Sequence, residues 1–238
     1  MDYVDVVFCH RPDYDTPLEE TCRAMNWIIE NGKAHYWGTS MWPADRITKA
    51  IEICKQLNFH QPITEQPAYS MVRRDLFERE YRRLFSEYKY GTTIWSPLAG
   101  GILTGKYNDG NIPAGSRYDT HGDFLKSTWG TYFADDKKAK TLKLLNGLGD
   151  LAKELGYTQA QLALAWCLAS NDVSTVILGF TRIEQVEENM KALELYGKWN
   201  LDIEKRVRAI LENEPESEMD WRKWSAQDQR RDLAVKRV

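Results

Sequence analysis

Polar and aromatic residues follow the ends of five short apolar runs in the sequence. These end residues are His10 and Arg11, Thr39 and Ser40, Glu65 and Gln66, Trp95 to Leu98, and Gly179 to Thr181. If the runs are parallel strands of a barrel, their carboxyl ends meet at one mouth, where ligands bind. An aromatic side chain could stack there on a planar ring, while serine and glutamine make directional hydrogen bonds to an amide on that ring.

A second candidate site begins at Gly179, where the sequence Gly-Phe-Thr-Arg precedes a segment of helical period that starts at Ile183. Such a turn brings the N-terminus of a helix to the mouth, and free N–H groups there suit an anion such as a phosphate. Arg182 adds positive charge. Most threonine-capped helices bind no ligand, so simple capping by Thr181 is the alternative interpretation.

The elements that would position these residues alternate along the chain. Short apolar, β-rich runs alternate with longer segments of helical period, which is typical of a mostly parallel sheet with crossover helices. The predicted strands are 3–9, 34–38, 62–66, 92–96 and 174–178. Five strand–helix units do not close a barrel, which needs eight. They could form an open doubly wound sheet, but no GxGxxG turn follows the first strand, so a Rossmann fold lacks its phosphate-binding motif.

Turn and cap signals predict the helices. The first is expected to be capped by Thr16, with Pro17 at its first helical position, and to stop at Asn31 and Gly32. The other predicted helices are 44–57, 75–88, 135–155, 158–169, 183–195 and 202–212. Residues 100–130, rich in Gly, Asn, Asp and Pro, are predicted to form a long loop. Trp27 and Trp166 are predicted to lie in the core.

Composition narrows the function classes. Of 238 residues, 42% are hydrophobic and 28% charged, as in ordinary soluble proteins, and 32 Lys and Arg against 35 Asp and Glu argue against nucleic-acid binding. Apolar runs are shorter than the ~20 residues of a membrane span, so no membrane insertion is expected. Four scattered cysteines without a CxxC pair indicate no metal or disulfide site. No secretory leader precedes the first strand, so we expect a cytoplasmic protein.

Six ordered motifs carry a resemblance to a known family. They are YVDVVFCHRPD, YWGTSMW, TEQPAYSM, WSPLAGGILTGKY, LALAWCL and VILGFTRIEQVEEN. In this order and spacing they resemble the aldo-keto reductase superfamily, most closely the branch of the voltage-gated potassium channel β subunits, from residue 3 to about residue 212. The resemblance implies a (β/α)8 TIM barrel that binds NADPH. We expect about five of eight strand–helix units, with three N-terminal units missing, in a domain of residues 1–214 followed by a polar tail, 215–238.

The resemblance also implies which residues bind the cofactor. Ser40 and Gln66 would hold the nicotinamide, with Trp95 against its ring. The phosphate-side and adenosine-side residues would be Ser96, Pro97, Leu98, Lys106 and Arg117, then Gly179, Thr181, Gln185, Glu188 and Asn189. Lysine and arginine near the 2′-phosphate favour NADP over NAD, because a free ribose hydroxyl usually meets a carboxylate.

For catalysis, the family implies a tyrosine acid with a lysine and an aspartate, all three in the units this chain is expected to lack. His10 stands where the reductases have a substrate-facing histidine and the channel subunits an asparagine, and Met41 stands where the branch often has arginine. Three functions stay open: reduction of a small carbonyl compound, a nucleotide-sensing module docked on a membrane partner, or a fragment that does neither. Family analogy suggests a homo-oligomer, a tetramer.

Overall fold

Five parallel strands form one sheet in a computed structural model of the chain, which describes residues 1–216. The strands are β1 (Val4–His10), β2 (Ala34–Ser40), β3 (Thr64–Glu65), β4 (Gly91–Ile94) and β5 (Thr175–Val176). They are hydrogen-bonded in sequence order, and helices connect them. All five predicted strands are confirmed, although β3 and β5 are two residues long. This α/β architecture confirms the predicted fold class and is consistent with part of a (β/α)8 barrel.

Ten α-helices lie in the described part of the chain. They are α1 (Leu18–Glu30), α2 (Ala44–Gln56), α3 (Arg82–Tyr88), α4 (Arg117–Thr120), α5 (Gly122–Phe133), α6 (Asp135–Glu154), α7 (Gln159–Leu168), α8 (Ile183–Met190), α9 (Ala192–Gly197) and α10 (Leu201–Leu211). A π-helical turn (Leu76–Glu80) precedes α3, and a 3-10 segment (Ala99–Thr104) follows β4. None of the described helices has the length and apolar character needed to cross a membrane.

The core lies between the sheet and its helices. The inner face of α2 consists of Ile47, Ala50, Ile51 and Cys54, which are all buried. Helix α7 is apolar on every side and nearly all of it is buried, as expected for a helix surrounded by other elements. Gly38 in β2 allows close strand contact, because a Cβ there would lie 2.6 Å from the carbonyl oxygen of Thr64.

The start of α1 differs from the prediction. Pro17, not Thr16, occupies the N-cap position, and no side chain caps the helix. The carboxylate of Asp13 instead accepts hydrogen bonds from the backbone N–H groups of Asp15 and Thr16, so this carboxylate shapes the turn before the helix. The predicted stop is confirmed, with Asn31 at the C-cap. The prediction for Trp27 is wrong because its side chain is 61% exposed, whereas Trp166 is fully buried as predicted.

Residues 100–130 are not the long loop that their composition predicted. The 3-10 segment, α4 and α5 occupy most of this region. An aromatic cluster holds it together: Trp129 stacks on Phe133 with ring centroids 4.0 Å apart, and Tyr107 and Tyr118 contact Trp129 at 5.6 and 5.1 Å. The Gly, Asn and Asp content therefore predicted a loop where the chain forms helices that long-range aromatic packing stabilises.

Two predicted helices are interrupted. The helix predicted over 183–195 divides into α8 and α9 at Lys191. There the carbonyl of Glu188 accepts a hydrogen bond from the Gln161 side chain at 2.6 Å, which competes with the regular helical bond. The helix predicted over 75–88 begins as the π-helical turn, which turns Phe77 inward to stack on Tyr69 with centroids 4.0 Å apart.

The predicted domain boundary at residue 214 directly follows Asn213, whose side chain forms two hydrogen bonds with the rest of the domain. The Asn213 side chain accepts a hydrogen bond from Arg74 at 2.9 Å and donates one to the carbonyl of Met71 at 2.8 Å. Most of the predicted polar tail, residues 217–238, lies outside the described residues. The division into domain and tail therefore stays a prediction.

Candidate functional site

The strand register brings three predicted site residues to one edge of the sheet. His10 at the end of β1 lies opposite Ser40 at the end of β2. Gln66 follows β3, and its backbone N–H donates to the carbonyl of Thr39 at 2.8 Å. The Ser40 hydroxyl donates to the backbone carbonyl of Gln66 at 3.0 Å. His10, Ser40 and Gln66 thus lie side by side at the carboxyl edge.

The chain turns sharply at this edge through left-handed residues that are not glycine. Arg11 follows β1 with φ 71°, Met41 follows β2 with φ 56°, and Ser96 lies two residues beyond β4 with φ 57°. Such conformations cost about 1–3 kcal/mol each and cluster at functional sites. The Met41 sulfur accepts a hydrogen bond from the backbone N–H of Ala68 at 3.2 Å, so this side chain ties the end of β2 to the segment after β3.

Trp95 continues the same edge after β4. It pairs with Ala68 in an isolated parallel bridge, which aligns it with the segment that follows Gln66. Two guanidinium groups lie over its indole ring, Arg11 at 5.7 Å and Arg73 at 5.9 Å from the centroid. Arg73 was not among the predicted site residues. It follows no strand, so only the tertiary structure reveals its place beside Trp95.

The polar groups at this edge fit a carboxamide on a planar ring. The Gln66 side chain is half-buried and forms no hydrogen bond with the residues that the structure describes, so both its donor and its acceptor remain available. Trp95, also half-buried, offers a ring face. A carboxamide presents a matching acceptor and donor. These residues therefore fit the nicotinamide portion of the expected cofactor.

The segment after Trp95 turns tightly through left-handed residues. Ser96, Ala99, Gly100 and Gly101 all have positive φ, and the backbone N–H groups of Ala99 and Gly101 donate to the carbonyls of Ser96 and Leu98 within the turn. Pro97 is buried and Leu98 half-buried within this turn.

The two predicted phosphate-binding cations lie apart from the strand edge. Lys106 follows the 3-10 segment and Arg117 begins α4, and both are exposed. Within residues 1–216 neither forms an ion pair. No described contact joins them to Ser40, Gln66 or Trp95, so their assignment to phosphates stays a prediction.

The predicted adenosine-side residues lie beyond β5. This strand pairs with β4, so Gly179 and Thr181 follow the same edge as Trp95. The Gln185 side-chain oxygen accepts hydrogen bonds from the backbone N–H and the hydroxyl of Thr181, at 3.0 and 3.3 Å. That contact shapes the turn before α8. The remaining predicted residues, Glu188 and Asn189, lie on α8, exposed and half-buried respectively.

Glu65 is a buried carboxyl group immediately behind the predicted site. It was recognised in the sequence as a residue at a strand end but received no role. Its side chain is fully buried, and burial raises its pKa to about 7, with hydrogen bonds from Thr39, the Trp42 and Met41 backbone and Tyr81 opposing that effect. An acidic residue at the end of a buried strand was the signal in the sequence that could have marked it.

The described tyrosines near this region are packed as structural residues. Tyr69 is 1% exposed and donates to the Glu78 carboxylate at 2.6 Å, and Tyr107 is equally buried in the aromatic cluster. Burial raises the pKa of Tyr118 to about 12 and raises the pKa of Tyr132. A phenol that donates protons at neutral pH needs the opposite shift.

Comparison with known proteins identifies the family. A sequence model described as "Aldo/keto reductase family" matches residues 1–205. The chain belongs to the aldo/keto reductase family. This membership agrees with the parallel sheet and with the polar residues at its carboxyl edge, and it confirms the resemblance seen in the sequence motifs.

Curated relatives point to one branch of the aldo/keto reductases. A "Probable voltage-gated potassium channel subunit beta" from Oryza sativa subsp. japonica is 46% identical over 222 residues, and a protein of the same description from Arabidopsis thaliana is 44% identical over 222 residues. A "Putative voltage-gated potassium channel subunit beta" from Schizosaccharomyces pombe is 44% identical over 215 residues. These matches cover 93%, 93% and 90% of this chain.

The chain is shorter than these relatives. The matched region spans 66% of the rice and Arabidopsis proteins and 61% of the fission yeast protein. Similarity therefore covers nearly all of this chain but only part of each relative.

Proposed function

We propose that the chain is the NADP(H)-binding part of an aldo/keto reductase-type oxidoreductase that acts on small aldehydes or ketones. The observation that carries this proposal is the alignment of His10, Ser40, Gln66 and Trp95 along one carboxyl edge of the sheet. Family membership supports it, because the aldo/keto reductases generally bind NADP(H).

In this proposal, Ser40 and Gln66 bind the nicotinamide carboxamide and Trp95 covers the ring. The turn of Ser96, Pro97 and Leu98 follows the pyrophosphate. The proposed phosphate and adenosine residues are Lys106, Arg117, Gly179, Thr181, Gln185, Glu188 and Asn189. Bound NADPH supplies the hydride for the carbonyl carbon.

His10 is the proposed substrate-facing residue. It is exposed at the end of β1 opposite Ser40, so its imidazole can donate a hydrogen bond to a substrate carbonyl oxygen. Such a bond would polarise the carbonyl without transferring a proton.

A second candidate function is a nucleotide-sensing module. The names of the three relatives, each a potassium channel β subunit, favour it, as do the structural surroundings of the described tyrosines. In this version the chain binds NADP(H) and docks on a membrane partner instead of turning over a carbonyl compound. In both versions we propose that the protein is cytoplasmic and forms a homo-oligomer, such as a tetramer.

Cofactor binding tests the proposal directly. We expect NADPH to quench tryptophan fluorescence of the full chain and to bind more tightly than NADH. Each lost charge-assisted contact to the 2′-phosphate costs about 1–3 kcal/mol, so Arg117→Ala should weaken NADPH binding about 5- to 160-fold and leave NADH binding nearly unchanged.

Arg79→Ala is the matched control, because Arg79 is exposed and has no ion pair with described residues. It should leave both affinities unaltered. If Arg117→Ala weakens the binding of NADPH and NADH equally, the assignment of Arg117 to the phosphate is rejected. If the chain binds neither cofactor, the proposed function is rejected.

A further inference from the structure

Two arginine side chains lie beside the same indole ring at the carboxyl edge of the sheet. The Cζ atom of Arg11 is 5.7 Å and that of Arg73 is 5.9 Å from the centroid of the Trp95 ring. A guanidinium at this distance is attracted to the electron-rich face of an aromatic ring. Both positive charges are therefore held at one ring, although like charges repel each other.

Backbone hydrogen bonds fix the place from which each of these side chains starts. The N–H of Arg11 donates to the carbonyl of Ser40 at 3.1 Å, which binds the residue after β1 to the end of β2. Arg73 closes a tight turn, because its N–H and its carbonyl pair with the carbonyl and the N–H of Ser70 at 3.0 and 3.2 Å. Ser70 is buried, so this turn is packed against the core and holds Arg73 beside Trp95.

Neither guanidinium is neutralised by a carboxylate in the described part of the chain. Arg11 and Arg73 are both exposed, and no ion pair joins either of them to a described acid. The next residue, Arg74, is buried instead and donates to both oxygens of the Glu78 carboxylate, at 3.0 and 2.7 Å. Arg74 thus uses its charge within the fold, whereas the charges of Arg11 and Arg73 are available to a ligand.

The side chains around the two arginines do not repel an anion. His10, the proposed partner of the substrate carbonyl, directly precedes Arg11 in the chain. Burial raises the pKa of Tyr132 on α5, and the charge of Arg73 opposes that rise, so this phenol lies near the guanidinium. The imidazole of His10, the indole of Trp95 and a protonated phenol carry no negative charge.

The chemistry of arginine defines the group that this place can bind. A guanidinium donates parallel N–H groups that match the oxygens of a carboxylate or a phosphate. Arg11 and Arg73 lie next to the residues proposed to hold the nicotinamide and the carbonyl group, which are Trp95 and His10. An oxygen anion bound by both arginines would therefore belong to a molecule whose carbonyl group lies at the proposed reaction site.

We propose that the substrate is an aldehyde or ketone that carries a carboxylate or phosphate group, and that Arg11 and Arg73 bind this anionic group beside Trp95. This inference rests on the proposed reductase-type function and names the substrate class of that site. It requires that loss of either arginine weakens the binding of an anionic carbonyl compound more than the binding of NADPH.

The test compares three para-substituted benzaldehydes as probes of the full chain, with and without saturating NADP+, which has no hydride to transfer. Carboxybenzaldehyde and formylphenyl phosphate carry the anionic group, and formylbenzamide is a neutral analogue with the same ring and aldehyde. Titration calorimetry at low ionic strength should show at least one anionic probe binding about tenfold more tightly than the amide. The tighter of the two anionic probes identifies the preferred group as a carboxylate or a phosphate.

Arg11→Gln and Arg73→Gln each remove one positive charge and keep a polar side chain. Each should weaken the preferred anionic probe about fivefold or more, since the contact is charge-assisted but exposed to solvent. The affinity for the neutral amide should stay nearly unchanged. Arg79→Gln is the matched control, because Arg79 is exposed on the π-helical turn and has no ion pair with described residues, and it should alter no affinity.

The outcomes distinguish this proposal from the proposed function. If wild-type chain binds the amide as tightly as both anionic probes, the substrate class is overturned while NADPH binding stands, and this comparison needs no variant. If Arg11→Gln and Arg73→Gln weaken NADPH as much as the anionic probe, the arginines bind the cofactor and the proposal is overturned. If the chain binds no NADPH or NADP+, the proposed function is rejected and the substrate class with it.

Discussion

At the scale of single residues, the buried carboxyl of Glu65 links stability to pH. Burial raises its pKa from 4.5 to about 7 in the folded chain, so folding favours the protonated acid. The resulting stabilisation is fully present below about pH 4.5 and is lost as pH rises towards about 7. This direction is opposite to that of an ion-paired carboxylate, which stabilises a protein as pH rises.

We predict that Glu65→Gln removes this pH dependence. A shift of this size corresponds to about 3 kcal/mol of unfolding free energy, so the wild type should lose up to about that amount, relative to Glu65→Gln, between about pH 4.5 and about pH 8. Urea unfolding of both proteins across this range measures the difference. A constant difference between the two curves would show that Glu65 has an ordinary pKa in the folded protein.

At the scale of secondary-structure elements, α7 depends on its N-terminal cap. The Thr158 side chain accepts from the backbone N–H of Gln161 at 3.2 Å, and the Gln161 side chain accepts from the backbone N–H of Thr158 at 2.9 Å. These reciprocal bonds form a capping box. Since α7 is almost entirely buried, the cap fixes an element that contacts several others.

Thr158→Ala should therefore lower the free energy of unfolding by about 1 kcal/mol. Thr131→Ala is the control, because Thr131 is exposed on α5 and its hydroxyl bonds only back to the carbonyl of Ser127 within the described structure; its effect should stay within about 0.5 kcal/mol. Denaturation midpoints of the two variants measure this. Equal effects would mean that the capping box does not limit stability.

Apolar periodicity and capping residues predicted those strands and helices that depend mainly on the local sequence. The five strands and the start of α7 at Thr158 were evident from apolar period and capping residues. The helices within residues 100–130 could not be predicted, because Trp129, Phe133 and Tyr107 stabilise them through contacts that sequence spacing does not reveal. Trp27 was mispredicted for a related reason: helical period places a residue on a face but does not show how far the core extends.

Some residues of the predicted site could be brought together from the sequence alone, and others could not. His10, Ser40, Gln66 and Trp95 follow strand ends, and parallel pairing brings them to a common edge, so their proximity was predictable. Arg73 and the bonds of Glu65 to Thr39 and Trp42 were not, because they depend on how turns fold back over the edge. The phosphate and adenosine assignments depend on family resemblance and stay predictions.

At the scale of the whole molecule, the site as described contains no obvious proton donor. The tyrosines with resolved shifts have raised pKa values in the described residues, and the hydrogen bond proposed for His10 would by itself polarise a carbonyl only weakly. We predict that the 238-residue chain oxidises NADPH no faster than background with an aromatic aldehyde such as nitrobenzaldehyde, monitored by absorbance. Clear turnover that disappears in His10→Ala would show that an acid of this chain has been overlooked.

The open sheet exposes two edges in the described structure. β1 and β5 each pair on one side only, and apolar side chains at these edges are exposed, with Val4 at 38% and Ile177 at 40%. Unpaired edges template association with other chains. Burial of apolar surface stabilises a protein by about 25 cal/mol per Å², so each ~100 Å² that stays exposed to water leaves the chain about 2.5 kcal/mol less stable. The total free energy of unfolding of a domain is only about 5–15 kcal/mol.

We therefore predict that the chain binds a hydrophobic dye, unfolds with low cooperativity and self-associates through its β1 edge. Val4→Lys should reduce association in sedimentation velocity, because a lysine on an edge strand opposes pairing with a second copy. Leu193→Lys, which replaces an exposed apolar residue on α9 instead, is the control and should leave association unchanged. Uncovered edges predict dye binding, low cooperativity and self-association. If the chain is instead a monodisperse monomer with a cooperative melt and no dye binding, other parts of the chain must cover these edges.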